Sequence, residues 1–260
     1  MKALFTAATG MEAQQYRLDT VANNLANVGT TGFKRSRAEF HDLFYETLQA
    51  PGAATSEGQS LPTGTQIGHG VRLAAISRVF SDGERVSTER DLDLSIDGDG
   101  FFQITRPDGD TVYTRDGAFQ LDRDGNLVNA LGYALEPNIQ IPTEALQVTI
   151  LRDGTVSVLE AGQTQPTNAG QIDLARFSNP AGLRALGGNL FATTEASGDP
   201  ETGTPDQTGF GSIAQGFLES SNVNMAEELV HMILAQRAFE VNSRVLQAGD
   251  EMMRTATVGS

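Results

Sequence analysis

The stretch "NNLANVGTTGFKRS" at residues 23–36 marks the point where the first helical pattern of this chain stops. Asparagine is a poor helix former, because its amide competes with the backbone for hydrogen bonds, and each one costs roughly 0.5 kcal/mol relative to alanine. Asn27 and Gly29 are ordinary helix stop signals, but Asn23 and Asn24 still lie within the helical pattern. These two amides therefore need a structural partner.

The residues before this stretch have the spacing of a helix that packs along one side. Four apolar residues recur every seven positions: Leu4, Met11, Leu18 and Leu25. This heptad pattern predicts a helix within residues 1–32. Its few apolar side chains cannot offset the cost of ordering about 25 backbone residues, so it needs a partner helix.

A second helix is predicted at the other end of the chain, within residues 220–260. One apolar line recurs every seven residues, at Met225, Met232, Phe239, Leu246 and Met253. Another runs along a different side, at Val230, Leu234, Ala238, Val241, Val245 and Met252. A helix that is apolar on two sides packs against two partners.

We expect one side of this helix to pack on the N-terminal helix and the other on a neighbouring copy of the chain. Buried amides would set the register between the helices, as a single asparagine does in coiled coils. The residues expected at this subunit interface are Leu4, Met11, Leu18, Asn23, Asn24, Leu25, Asn27, Asn222, Asn224, Leu229, Met232, Gln236, Arg237, Phe239, Asn242 and Leu246.

The sequence between the helices changes character near residue 73. Residues 33–72 are rich in Gly, Thr, Pro and Ser and lack periodicity, which predicts an extended connector with Leu61, Pro62 and Ile67 as contact points. Residues 73–219 contain seven Asp-Gly pairs between alternating segments, which favours hairpins and an antiparallel β-rich domain. The predicted fold class is α+β, with a discontinuous helical coiled-coil domain built from both termini.

Composition excludes several classes of function. The formal charge of -15 argues against a nucleic-acid or anionic-membrane partner, and the absence of cysteine rules out disulfides and thiol chemistry. The start of the chain lacks the apolar core of a signal peptide, and no apolar run approaches the roughly 20 residues that span a bilayer. We expect neither a cleaved signal peptide nor membrane insertion.

The residue types of catalytic and metal sites are present but not suitably spaced. His41, His69 and His231 have no partner at metal-ligand spacing, and "DRDGN" at residues 122–126 fails as a calcium loop because Leu127 stands where glycine is needed. We expect no catalytic residue, no cofactor and no metal, and hence no enzyme. The many acidic turns leave a polysaccharide-acting enzyme open as an alternative.

Both ends of the chain resemble the signatures of the flagellar basal-body rod and hook family. The matching stretches are "NNLANVGTTGFKRSR" and "QGFLESSNVNMAEELVHMILAQRAFEVNSRVL", with "GDGFFQI" and "YTRDGAFQLDRDGNLVNALGYAL" resembling the β-domain of that family. The resemblance covers nearly the whole chain, and the connector is most similar to that of distal rod members. Phe239 stands where tyrosine is common in the family.

The resemblance implies a structural subunit of the distal rod, in the part of the flagellar basal body that spans the periplasm. It implies secretion by the flagellar type III export apparatus and helical self-assembly into a hollow shaft that transmits torque to the hook and encloses the export channel. The implied partners are further copies of the chain, proximal rod proteins, the hook protein, the rod cap, and the P-ring and L-ring proteins. Membership among hook or proximal rod proteins is the nearest alternative.

The first prediction concerns the connector. If it braces neighbouring subunits, deletion of residues 52–62 should leave secretion and assembly possible but give a curved or flexible shaft, because contacts far from the axis of a tube resist bending most. Electron microscopy of isolated basal bodies measures the curvature. Shafts as straight as wild type, or a complete loss of assembly, would contradict this role.

Overall fold

A computed structural model describes residues 2–50, 63–163 and 165–258 of the chain. Two long helices lie at its ends, α1 (Lys2–Ala26) and α2 (Met225–Val258). The strands found in the described residues between them are β1 (Ser36–Asp42), β2 (Tyr45–Gln49), β3 (Thr65–Gly68), β4 (Val71–Arg78), β5 (Arg85–Ser87), β6 (Leu94–Asp97), β7 (Phe101–Thr105), β8 (Thr111–Thr114), β9 (Gln120–Leu121), β10 (Leu127–Val128), β11 (Ala134–Glu136), β12 (Ala145–Ile150), β13 (Thr155–Glu160), β14 (Thr167–Gln171), β15 (Leu174–Arg176), β16 (Arg184–Gly187), β17 (Leu190–Ala192), β18 (Glu201–Gly203), β19 (Ser212–Gln215) and β20 (Phe217–Glu219).

The described residues form two compact units, each built from segments that are distant in sequence. The first, here called the helical unit, comprises those within residues 1–26, 36–78 and 224–260. The second, the β-rich unit, comprises those within residues 27–35 and 79–223. The chain therefore passes from one unit to the other four times.

In the helical unit, α1 packs along α2 and also contacts β1 and β4. Strand β1 pairs with β4, and β2 with β3, both antiparallel. The buried residues of α1 are small or polar for the most part: Ala7, Ala13, Thr20, Val21 and Asn24. Small side chains let other elements approach a helix closely, so α1 can have neighbours on more than one side.

The β-rich unit consists of antiparallel sheets around one main hydrophobic core. Its largest sheet has nine strands, in the order β16-β17-β8-β7-β11-β10-β9, with β15 paired to β7 and β18 to β15. Strands β12, β13 and β14 form a second sheet, and β6 pairs with β19 and β5 with β20. The largest apolar side chains that are fully buried belong to Phe102, Phe119, Phe191, Leu94, Ile96 and Ile104.

The predicted α+β class is confirmed, with one helix at each end and antiparallel β-structure between them. One of the hairpins that the Asp-Gly pairs favour is present at Asp153 and Gly154, where β12 pairs with β13. The connector is more regular than predicted, since its described residues contain β1, β2, β3 and the start of β4. Their side chains are largely exposed or half-buried on both faces, so no apolar alternation marked them as strands.

Only some of the seven Asp-Gly pairs form the expected hairpin turns. Those ending at Gly109, Gly125 and Gly154 join strands that pair with each other, and each of these glycines has a positive φ. Gly117 instead joins β8 to β9, which do not pair. A Cβ atom there would lie 1.7 Å from the carbonyl oxygen of Leu94, so this glycine permits a close backbone approach.

Gly117→Ala should therefore destabilise the β-rich unit by about 3 kcal/mol, because the added carbon overlaps backbone that cannot rotate away. Gly29→Ala is the matched control, since a Cβ atom at Gly29 meets nothing within 4 Å. It should change stability by no more than about 0.5 kcal/mol. Urea denaturation of the monomer measures both, and equal costs would contradict the steric explanation.

Candidate subunit interface

Helices α1 and α2 run antiparallel within the helical unit. Three close contacts define their pairing: Asn24 with Glu228, Gly10 with Asn242, and Leu4 with Gly249. A Cβ atom at Gly10 would lie 2.9 Å from the Asn242 Nδ2 atom, and one at Gly249 would lie 2.3 Å from the Leu4 Cδ2 atom. Glycine at these two positions therefore brings the helices close together.

The side of α2 that faces α1 is not the apolar line predicted from sequence. It is a heptad line of small and polar residues: Glu228, Ala235, Asn242 and Gly249. Ala235 is 1% exposed and Glu228 is 3% exposed. These four residues also recur every seven positions in the sequence. Two of them are polar and two are small, so a search for large apolar residues at heptad spacing does not find this line.

The two predicted apolar lines of α2 have different surroundings. In the first line, Met232 and Leu246 are half-buried, whereas Met225, Phe239 and Met253 are exposed. The second line is exposed except for half-buried Ala238. Its exposed members, here called the α2 stripe, are Val230, Leu234, Val241, Val245 and Met252, with exposed fractions between 43% and 69%.

The other predicted interface residues of the helices vary in exposure. Half-buried are Leu4, Met11, Leu18, Leu25 and Asn242, whereas Asn23, Leu229, Gln236 and Arg237 are exposed. Arg237 forms an ion pair of 3.0 Å with Glu240, one turn further along α2. These observations place none of these residues against another copy of the chain, so their interface role stays a prediction.

The Asn24 side chain forms its hydrogen bonds inside the subunit, and its predicted role between copies stays a prediction. It is 1% exposed, and its Nδ2 group donates to the Ser36 carbonyl oxygen at 2.8 Å and to Glu228 Oε1 at 3.2 Å. Its Oδ1 atom accepts from the Ser36 amide at 2.8 Å. One side chain thus joins the end of α1 to the start of β1 and to the first turns of α2.

Asn222 makes an equivalent set of bonds in the β-rich unit. Its Oδ1 atom accepts from the Arg35 amide at 2.7 Å, and its Nδ2 group donates to the carbonyl oxygens of Val79 at 2.8 Å and Ser81 at 3.1 Å. It therefore joins three segments of its own subunit, and its interface role stays a prediction.

Two further asparagines of the predicted interface stabilise helix ends. Asn224 caps α2, because its Oδ1 atom accepts from the amides of Ala226 and Glu227. Asn27 follows α1, where its carbonyl oxygen and its Oδ1 atom both accept from Thr30. Both sets of bonds stabilise helix ends within one subunit.

The Gly-Thr-Thr-Gly segment after α1 belongs to the β-rich unit. Thr31 donates to Asp116 Oδ1 at 2.8 Å, and the Gly32 amide donates to the Glu219 carbonyl oxygen at 2.8 Å. Gly32 has φ +66°, and a Cβ atom there would lie 2.6 Å from the Asp116 amide nitrogen. Burial raises the pKa of the Asp116 carboxyl, while its hydrogen bonds from Thr31 and Ala118 oppose that rise.

Lys34 follows this segment and is buried, with 1% of its surface exposed. Its Nζ atom donates to Glu219 Oε1 at 2.5 Å and to the Ser81 carbonyl oxygen at 2.6 Å. Burial lowers the pKa of the Lys34 ammonium, and the nearby Arg115 guanidinium lowers it further. A lysine is rarely buried unless it is paired, so Glu219 is essential to this arrangement.

The connector offers an exposed apolar surface in its described part. Ile67 is 41% exposed, and Phe44, Tyr45 and Leu48 on or next to β2 are more exposed, with Phe44 at 89%. We call these four residues the connector surface. The other two predicted contact points, Leu61 and Pro62, lie outside the described residues.

Within the part of the chain that the structure describes, no group of three or more acidic or histidine side chains is arranged to hold a metal ion. His69 lies 3.8 Å from the Glu46 carboxylate, whereas His41 lies on β1 and His231 on α2. Neither of the two described helices combines the length and the apolar character needed to cross a membrane.

Three family models match this chain, and all describe proteins of the flagellar hook or basal body rod. A model of the flagella basal body rod protein matches residues 4–34, and one of the flagellar basal body rod FlgEFG protein C-terminal region matches residues 214–257. A model of the flagellar hook protein FlgE/F/G D1 domain matches residues 95–158. The matched regions include both helices and part of the β-rich unit.

Similar proteins extend the match over the whole chain. The flagellar basal-body rod protein FlgG of Borreliella burgdorferi is 50% identical, over 98% of this chain and 97% of its own length. FlgG of Caulobacter vibrioides is 44% identical over 99% and 98%, and FlgG of Bacillus subtilis is 41% identical over 98% and 97%. The chain therefore belongs to the family of flagellar basal-body rod proteins. Its role is that of a structural subunit of the rod.

The third prediction tests the Asn24 hydrogen bonds. Asn24→Asp keeps the shape of the side chain but removes the donor to Ser36 and places a second carboxyl beside Glu228, so the helical unit should lose about 3 kcal/mol at pH 7. The loss should shrink as the pH falls, because protonation of the introduced carboxyl restores a donor. Hydrogen exchange at the Ser36 amide measures the change.

The control for this prediction is Asn23→Asp, which introduces the same charge at an exposed neighbouring position. It should have a much smaller effect, of about 0.5 kcal/mol. Equal losses from the two variants, or a loss at Asn24 that is independent of pH, would contradict the proposed hydrogen-bonding role.

Proposed function

We propose that this chain is the subunit of the distal rod and that it assembles helically into a hollow shaft. The shaft transmits torque to the hook and encloses the export channel, with a coiled-coil layer formed by residues 1–32 and 220–260 of successive copies. Residues 33–72 connect neighbouring copies, and residues 73–219 form the outer layer. The role is mechanical, without catalysis.

The observation that carries this proposal is the α2 stripe. The stripe lies on α2, whose other side packs against α1. Its apolar side chains extend over about six helical turns, from Val230 to Met252. They are exposed, as Leu234 is at 59%. A contiguous apolar surface of this kind marks a protein–protein contact. In a rod subunit, the partner that is present in every position along the shaft is another copy of the same chain.

The connector surface supports an open assembly over a closed dimer. It presents aromatic and aliphatic side chains, such as Phe44 and Leu48, that differ in shape from the α2 stripe. Two different apolar surfaces on one subunit favour head-to-tail contacts, and a head-to-tail contact that does not close on itself produces a helical filament. Leu61, Pro62 and Ile67 are the proposed contact points between copies.

The same proposal sets the location and the partners of the chain. The subunit is exported by the flagellar type III apparatus, and it adds to the proximal rod beneath the rod cap. The finished shaft crosses the periplasm, joins the hook protein at its far end and turns inside the P-ring and L-ring proteins. The formal charge of -15 suits contacts with proteins more than with nucleic acid.

Leu234→Asp tests the proposed contact. Leu234 is exposed in the subunit, so the monomer should keep its circular dichroism spectrum and melting temperature. Assembly should fail, because the introduced charge would have to be buried without a partner at every contact, at a cost of several kcal/mol each. Sedimentation and electron microscopy of the purified chain under polymerising conditions measure the outcome.

Gln247→Asp is the control, because it adds the same charge at an exposed polar position of α2. It should assemble as the wild-type chain does. Normal shafts formed by the Leu234 variant would refute the proposal that the α2 stripe is buried between copies.

A further inference from the structure

Methionine is the residue type through which this chain offers sulfur to an oxidant. The sequence has no cysteine and six methionines, and four of these lie in α2. A peroxide converts the thioether of methionine into a sulfoxide, which is polar where the thioether is apolar. Oxidation of α2 would therefore change a surface that is apolar in the unmodified chain.

The methionines of the described residues differ in exposure. Met252 is 69% exposed, ahead of Met225 at 51% and Met253 at 44%. Met11 on α1 and Met232 on α2 are half-buried. Because an oxidant must reach the side chain, Met252 is the most accessible of these methionines in the free subunit.

Met252 also occupies a particular place, at the C-terminal end of the α2 stripe. It follows Val245 by seven residues, or about two helical turns, so both lie on the same side of α2. The other members of the stripe are valines and one leucine, whose hydrocarbon side chains do not react with peroxide. A thioether packs well among such side chains, since methionine is unbranched and adapts its shape. The oxidation state of one sulfur atom therefore decides whether this end of the stripe is apolar.

The residues one turn away on the same side of α2, Ala248 and Thr255, offer no free donor to a sulfoxide oxygen. The Ala248 side chain is a methyl group. The Thr255 hydroxyl donates to the Glu251 carbonyl oxygen at 2.7 Å. In the free subunit, water can hydrogen-bond to the sulfoxide. A polar oxygen that is buried against an apolar surface without a donor opposes the contact.

We propose that Met252 is an oxidation site through which hydrogen peroxide controls assembly, an inference that rests on the proposed burial of the α2 stripe between copies. In the free subunit, the thioether sulfur gives an electron pair to one peroxide oxygen, and the O–O bond breaks. The departing hydroxide takes the proton from the transferred oxygen, so the products are a sulfoxide and one water molecule. The oxidised subunit is excluded from the shaft, whereas a subunit within the shaft is protected because a neighbouring copy covers Met252.

The first test is peroxide footprinting of the wild-type chain, free and assembled, read by tandem mass spectrometry that separates Met252 from Met253. In the free subunit, Met252 should be oxidised about threefold faster than half-buried Met232, and assembly should slow its oxidation about tenfold. Equal rates of Met252 oxidation in the free and the assembled chain would overturn the proposal.

The second test asks whether Met252 accounts for the effect of peroxide on assembly. Wild-type subunits in which Met252 is fully oxidised should need about tenfold more protein to assemble. Met252→Leu subunits treated in the same way should assemble as untreated subunits do, because leucine is apolar and is not oxidised. Normal assembly of the oxidised wild type, or an equal loss of assembly in the treated variant, would count against Met252 as the controlling site.

Met252→Gln imitates the polar sulfoxide without an oxidant, and it should also raise the protein concentration needed for assembly about tenfold. Met225→Gln is the matched control, because Met225 is exposed but lies outside the α2 stripe, and it should leave assembly unchanged. Circular dichroism of both monomers checks that they fold. Equal effects of the two variants on assembly would contradict a specific role of Met252.

The result for Leu234→Asp separates this proposal from the one on which it rests. If Leu234→Asp fails to assemble and Met252→Gln assembles normally, the α2 stripe is a contact between copies and Met252 does not control it. If both variants assemble normally, the stripe is not buried between copies and both proposals are wrong.

Discussion

Two amide side chains hold the chain at the places where it passes between its two units. Asn24 bonds both the amide and the carbonyl group of Ser36, the first residue after the second passage, and so fixes the spacing between α1 and β1. Asn222 does the same for Arg35 and Val79, which lie at the edges of two segments of the β-rich unit. A primary amide donates and accepts at once, so one asparagine side chain can bond both the amide and the carbonyl group of the same residue. The discontinuous architecture therefore depends on residues that helix propensity alone would count as unfavourable.

The division of α2 into a buried and an exposed side follows from side-chain size. Gly249 and Ala235 let α1 approach closely, and the larger apolar residues are left to half-buried and exposed positions. This arrangement suits a subunit that assembles with other molecules. Little apolar surface is buried between α1 and α2 in the monomer, and the α2 stripe stays available for contacts with other molecules. The same arrangement explains why apolar periodicity identified the helix correctly and its inner face wrongly.

The sequence alone was sufficient to predict the helices and strands that have strong local signals. Both helices, the antiparallel β-structure and the β12–β13 hairpin follow from periodicity and turn chemistry. The strands near residues 36–49 and 65–72 were not predictable in this way, because Thr, Gly and Gln at exposed positions give no apolar alternation. The partners of Asn24, Lys34 and Asn222 could not be predicted either, since most of these bonds join residues that lie far apart in the sequence, such as Asn24 and Glu228. Local patterns indicate that a polar residue is unusual, but they do not identify its partner.

Burial of Lys34 shows how strongly the segment after α1 depends on the far end of the β-rich unit. Its ammonium pairs with Glu219, 185 positions further along the chain, and the Gly83 amide donates to the same carboxylate oxygen at 2.8 Å. Contacts between such distant residues form after local ones, because the entropy of closing the long loop must be offset first. Several strand pairs of the main core, such as β7 with β8 and β12 with β13, are joined by short connections that do not include this segment. We therefore expect the Gly-Thr-Thr-Gly segment to become ordered last in the β-rich unit, once Glu219 is in place to neutralise the buried lysine.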